Sequence, residues 1–127
     1  MAIKESRIFV KKVWGYEFWF VNRDEYCGKF LFIDQGAICS THCHKVKIET
    51  FFCVEGQAIL TIEGKKYDLH DMCRAKTILP GEYHTFTAPD DRAVIIEVST
   101  HHEDTDSYRL DVSQEGTGKK WEMDDYA

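Results

Sequence analysis

The chain has no surplus of positive charge. Sixteen Lys and Arg stand against 22 Asp and Glu, a net charge of −6 over 127 residues. That argues against a nucleic-acid surface, which needs clustered basic side chains. It suits a soluble protein acting on a neutral or small polar ligand. A phosphate-rich substrate would have to rely on a local patch such as Lys45, Lys47, Lys65 and Lys66. There is no CxxC pair among the five cysteines, and five is an odd number, so reduced intracellular thiols are expected. No apolar run has the length of a signal peptide, in MAIKESRIFVKK or later, and none has the length of a membrane span. A cytoplasmic location is therefore expected. Helical periodicity is scarce, and the two prolines, Pro80 and Pro89, both fall in turn-like sequence.

What the chain does have is short strands. Runs rich in β-branched and aromatic residues cover 7–10, 16–21, 27–34, 38–44, 49–54, 58–62, 66–69, 74–79, 83–87 and 93–99. Turn residues separate them every 8–12 positions or so, as in a β-sandwich or small barrel. With 43% hydrophobic residues there is enough material for one packed domain. That domain is expected over 1–112, with a polar tail over 113–127 that is mobile or docks on a partner. Trp121 and Tyr126 are out of place in a purely solvated tail and hint at docking. The strand YEFWFV carries bulky groups on both faces, so it is buried on both sides or covered by another subunit.

The centre of the chain is Gly36 to Gly56, GAICSTHCHKVKIETFFCVEG. His42 and His44 are two apart, so on a strand they share a face, with Cys43 on the other. Glu49 has the wrong parity for that strand, but the polar run 45–47 can turn the chain and return Glu49 on the next. Inward Glu49 brings Lys47, Phe51 and Cys53 inward with it. His84 arrives behind the turn Pro80-Gly81. Three imidazoles and one carboxylate form a plausible shell for a divalent transition metal. Nitrogen and oxygen donors without thiolate favour Mn(II) or Fe(II), with Zn(II) next.

The block G-x5-HxH-x4-E-x6-G, formed by Gly36, His42, His44, Glu49 and Gly56, resembles the first motif of the cupin superfamily. Pro80, Gly81 and His84 resemble the second, although Cys73, Leu79 and Ala88 stand where cupins often carry Gly, Pro and Asn. Lys12-Val13-Trp14-Gly15-Tyr16-Glu17 resembles the K-x-W-G-x-E opening of sugar-isomerase cupins, among them D-lyxose isomerases and type II mannose-6-phosphate isomerases. His42-x-His44-x2-Lys47-x-Glu49 is similar to the D-lyxose isomerase pattern, in which the Lys belongs to the active site. Ile96 to Thr100, His101-His102 and Asp106 to Arg109 resemble the end of these domains.

The resemblance implies an all-β jelly-roll barrel, the double-stranded β-helix of cupins, with metal ligands His42, His44, Glu49 and His84. It also implies a small sugar substrate and aldose–ketose isomerisation through a metal-stabilised enediolate. Lys47 would donate to substrate oxygens, or shuttle a proton if its pKa were depressed. Glu97 interrupts the apolar run VIIEVS and is the candidate base. It is equally readable as part of an outward face with Ile95 and Ser99. Tyr83, Phe51 and Phe86 are candidates for the pocket wall, Glu17 turns inward only with Trp19, and Arg109 reads first as a tail ion pair. A homodimer through the N-terminal aromatic strands is expected. The alternatives are a non-catalytic module binding metal or sugar, and an Fe(II)-dependent dioxygenase, which a purely apolar pocket wall would favour.

Overall fold

The computed structural model describes residues 1–123, so Tyr126 lies outside the described residues. Its strands are β1 (Ile8–Lys12), β2 (Gly15–Asn22), β3 (Cys27–Ile33), β4 (His42–Cys43), β5 (Glu49–Glu55) and β6 (Gln57–Ile62). They continue as β7 (Lys65–His70), β8 (Lys76–Ile78), β9 (His84–Thr87), β10 (Ala93–Ser99) and β11 (Tyr108–Arg109), with a 3-10 turn at Asp104–Asp106. Two antiparallel sheets face each other. One is ordered β1-β2-β3-β10-β5-β8 and the other β11-β4-β9-β6-β7. This is the jelly-roll barrel expected from the sequence. Among the described residues no helix is long and apolar enough to cross a membrane.

Alternation along each strand decides what enters the barrel. On β3, Cys27, Lys29, Leu31 and Ile33 are buried while Phe30 and Phe32 stay half-exposed. On β5, Glu49, Phe51 and Cys53 turn inward. On β10, Ile95, Glu97 and Ser99 are inward and Val98 is exposed, which settles the choice left open for Glu97. The lower barrel is filled by Leu31, Ile33, Leu60, Leu69, Ile78, Phe86 and Ile95, among others. Each large side chain buried there stabilises the fold by roughly 1.5–3 kcal/mol. Trp14 meets Phe86 edge-on, with ring centroids 5.0 Å apart.

Gly15 joins β1 to β2 at φ 149°, and a Cβ there would lie 1.8 Å from the carbonyl oxygen of Phe32, so only glycine fits. The strand expected over 38–44 shrinks to His42–Cys43 because its backbone bonds go elsewhere. Cys39 N–H donates to Phe86 O, Ser40 N–H to Ser113 Oγ and Thr41 N–H to Asp111 Oδ1. The C-terminal segment that accepts the last two also supplies β11, a strand not foreseen from the sequence. The tail does not hang free up to residue 123. Ile38 and Gln114 exchange backbone hydrogen bonds, Trp121 Nε1 donates to Ile33 O at 3.0 Å, and Met123 is buried.

Candidate metal centre and its cavity

His42 on β4 pairs directly with His84 on β9, and His44 follows two residues later. The ligating atoms of the three rings lie within 4.8 Å of one another, and all three residues are buried. Their orientation is fixed from behind. Each Nδ1 meets a backbone carbonyl: Ser40 O for His42 at 2.7 Å, Asp106 O for His44 at 2.7 Å and Glu82 O for His84 at 3.0 Å. A carbonyl accepts only, so each Nδ1 carries the proton and each Nε2 presents a lone pair. Burial pushes His42 down to about 3, with His84 adding to it, and burial also lowers His44. Both are neutral, the form that ligates metal.

Glu49 enters from the opposite sheet. Its Oε1 is 3.0 Å from His84 Nε2 and its Oε2 is 3.4 Å from His44 Nε2. With Nδ1 protonated, those contacts bring acceptor against acceptor, which repel unless a cation shares them. His84 Nε2 is buried and has no hydrogen-bond partner. Buried polar atoms left in that state are rare and need an explanation. A divalent ion shared by the three imidazoles would supply one. Cys39 lies beside this group, its Sγ 3.9 Å from His42 Nδ1, but burial pushes its thiol up to about 12, so it is no thiolate. Cys43 does not line the cavity.

The ligand group opens into a cavity of about 480 Å³, the size of a small-molecule site. Lys47 stands on its wall. Its Nζ is 2.9 Å from Glu49 Oε2, 3.1 Å from Glu97 Oε2 and 3.1 Å from His102 Nδ1. Burial alone would lower the Lys47 pKa, yet Glu97 and Glu49 outweigh it and raise it. Lys47 thus stands as an ammonium donor between two carboxylates. Burial, with Glu49 next, raises Glu97. Burial raises Glu49 too, but the Lys47 ammonium 2.9 Å from its Oε2 helps to hold it below the usual carboxylate range. His102 accepts from Lys47 at Nδ1, so its Nε2–H donates to Asp104 Oδ1 at 2.8 Å. Burial, then Lys29 and Lys47, push His102 down to about 4.

Phe51 and Phe86 reach the cavity wall, as does Glu17 together with Trp19, whereas Tyr83 does not. Arg109 also lines the cavity, its Nη1 3.1 Å from Ser40 Oγ. Among the described residues it forms no carboxylate ion pair, and Asp124 and Asp125 of the tail lie outside the described residues. Lys29 and Asp104 line the same space without having been singled out in the sequence, and so does His102, which was noted there only within the resemblance of the domain's end. Lys29 was findable as the lone charge on the inward parity of CGKFLFID. His102 and Asp104 follow the last long strand, where no periodicity points to a face.

No family model matches the chain. It is similar to the D-lyxose/D-mannose isomerase of Thermosediminibacter oceani, 30% identical over 112 residues, covering 67% of this chain and 61% of the relative. The match thus spans less than two thirds of that enzyme's length. Its fold superposes on the capsular polysaccharide assembling protein CapF of Staphylococcus aureus, with a TM-score of 0.74 and 19% identity over 84% of this chain and 35% of CapF. KdgF from Halomonas sp. gives a TM-score of 0.65 and 18% identity over 71% of this chain and 81% of KdgF. Oxalate decarboxylase from Bacillus subtilis gives 0.69 and 18% over 87% of this chain and 33% of the enzyme. At these identities the structures establish the fold alone. The paired motifs and the isomerase relative agree with that fold, the cupin jelly roll.

Proposed function

We propose that the protein is a divalent-metal-dependent isomerase interconverting a small aldose and its ketose. One observation carries the reading. Three imidazole lone pairs and the Glu49 carboxylate converge beside a second buried set, Lys47, Glu97 and His102, inside one cavity. The relative in Thermosediminibacter oceani, named for D-lyxose and D-mannose, supports the substrate class. The mixed polar wall, with two buried carboxylates and two buried ammonium groups, speaks against the dioxygenase alternative.

His42, His44, His84 and Glu49 would hold the ion, Mn(II) or Fe(II) before Zn(II). When bound it supplies Lewis acidity, stabilising negative charge on the substrate's carbonyl and neighbouring hydroxyl oxygens. Isomerisation passes the hydroxyl proton from one substrate oxygen to the other and moves one proton between adjacent carbons. Glu97 is the group we assign to take it from the hydroxyl-bearing carbon and return it to the former carbonyl carbon. Lys47 fixes the Glu97 carboxylate at 3.1 Å and places a positive charge beside the oxygens on which negative charge develops. His102, anchored on Asp104, holds the ammonium from behind. A second copy of the chain would cover the stacked stripe of Phe9, Phe18, Phe30 and Phe32 on the outer face of β1–β3, giving a homodimer. Five free thiols suit a cytoplasmic location.

The test is elemental analysis of purified protein followed by incubation with D-lyxose, D-mannose and other aldoses and ketoses in deuterated water. Metal-dependent deuterium at C1 or C2 is the expected result. Lys47→Ala should retain the metal and lose that exchange. Protein that binds metal and exchanges no C–H proton in any sugar is not an isomerase.

A further inference from the structure

Across the inner face of the larger sheet, Trp19, Lys29, Glu97 and Phe51 lie side by side on β2, β3, β10 and β5. Lys29 is 1% exposed, although it is a lysine on a barrel wall. Its Nζ lies 3.3 Å from Glu17 Oε1 and 4.3 Å from the centre of the Trp19 ring. Trp19 Nε1–H donates to the same Glu17 oxygen at 2.7 Å, which locks the indole in place. His102 closes the other side, its ring edge-on to Trp19 at 5.0 Å. All four residues line the cavity that the metal ligands open into.

A buried ion pair adds little net stability, because desolvation offsets the attraction. The Lys29–Glu17 pair is also incompletely satisfied. An ammonium has three N–H donors, and Lys29 directs one to Glu17 and rests on a ring face. The second Glu17 oxygen has only Lys12, at 3.9 Å. The wall thus presents one spare donor beside one spare acceptor, flanked by an aromatic face. A pair of neighbouring hydroxyls matches that, since each O–H both donates and accepts. A phosphate or carboxylate does not, because it brings only acceptors and a negative charge against Glu17. Lys29 is two strands from β5, roughly 10 Å across the sheet, so the far end of a short open-chain sugar could reach it from Glu49.

We infer that Glu17, Trp19 and Lys29 form a subsite for the distal hydroxyls of an unphosphorylated sugar and exclude sugars that carry an anionic end. The inference rests on the isomerase reading only for placing a sugar in the cavity. It is tested by binding, without turnover. Manganese-loaded protein is titrated calorimetrically with D-mannose and with D-mannose 6-phosphate. D-mannose should bind at least tenfold more tightly than its phosphate. Lys29→Met should weaken D-mannose at least tenfold with metal content unchanged. Glu17→Gln should narrow the preference over the phosphate at least fivefold. The double variant Lys29→Met/Glu17→Gln leaves no unpaired buried charge and covers the case in which a single variant fails to fold; it should lose both D-mannose affinity and discrimination. Phosphate ester bound as tightly as the free sugar overturns the inference. So do variants that leave both affinities within twofold of wild type, or no binding of D-mannose at all. Sugar binding with this pattern but no deuterium exchange would sink the isomerase reading and leave the subsite standing.

Discussion

Replacing Lys47 with methionine removes the one ammonium between two buried carboxylates. In the wild type, Lys47 Nζ is 2.9 Å from Glu49 Oε2 and 3.1 Å from Glu97 Oε2, with all three side chains at most 5% exposed. Deleting one partner of such a buried group typically costs about 3–5 kcal/mol. With a urea m-value near 2 kcal/mol per molar, the unfolding midpoint should fall by roughly 1.5–2.5 M. The loss should also depend on pH. Without Lys47, the two main influences left on Glu97 are burial and Glu49, and both raise its pKa. A carboxyl whose folded pKa lies above its unfolded value is at its most stabilising when protonated, and that stability disappears as pH rises through the folded pKa. The deficit relative to wild type should therefore be largest near pH 8 and shrink towards pH 5. Urea unfolding in EDTA at both pH values measures it without any contribution from metal. Lys47→Met/Glu97→Gln should recover at least half of the loss near pH 8. The reasoning fails if Lys47→Met stays within about 1 kcal/mol of wild type, as an exposed ion pair would, or if its deficit is the same at both pH values.

Glu49→Ala removes one of four candidate ligands and should lose most of the bound metal; unchanged metal content would exclude Glu49 from the shell. Asp106 accepts the backbone N–H groups of Lys45, Val46 and Lys47, and its own carbonyl holds His44 Nδ1. Asp106→Ala should weaken metal binding about 10–100-fold, the usual effect of losing a group that orients a ligand, as read by competition with a chelator. Metal-free protein should lose stability as pH falls below about 6.5, where the unfolded histidines protonate. His42 and His102, held down to about 3 and about 4, stay neutral in the fold. Each takes up its proton only on unfolding, so each contributes a slope of up to about 1.4 kcal/mol per pH unit. A flat urea midpoint between pH 7 and 5 in EDTA would contradict their burial.

Side-chain parity made much of this arrangement legible in the sequence. Two histidines one residue apart had to share a face, and a single turn was enough to bring Glu49 back opposite them with Lys47 on the same side. The run AVIIEVS was ambiguous because both of its faces are apolar enough to be buried. Its choice of face is set by pairing with β3 and β5 on either side, where Glu97 falls opposite Lys29 and Phe51. Such a register is a tertiary property that local propensity cannot contain. The segment 38–44 misled for a related reason. Its residues have strand character, but side chains and the C-terminal segment claim its backbone donors. His102 and Asp106 lie outside the strands, and their roles come from contacts with residues 55–62 positions earlier.

That last separation carries a consequence for how the molecule assembles. The bend that presents His44 and Lys47 is latched by the 3-10 turn at Asp104–Asp106, and β11 beyond it stitches onto β4. During synthesis the histidine pair emerges long before its clasp. A nascent chain cut short of residue 104 would have its two sheets largely complete and yet grip a cation poorly. Tight loading with metal would then report that the last part of the barrel has closed.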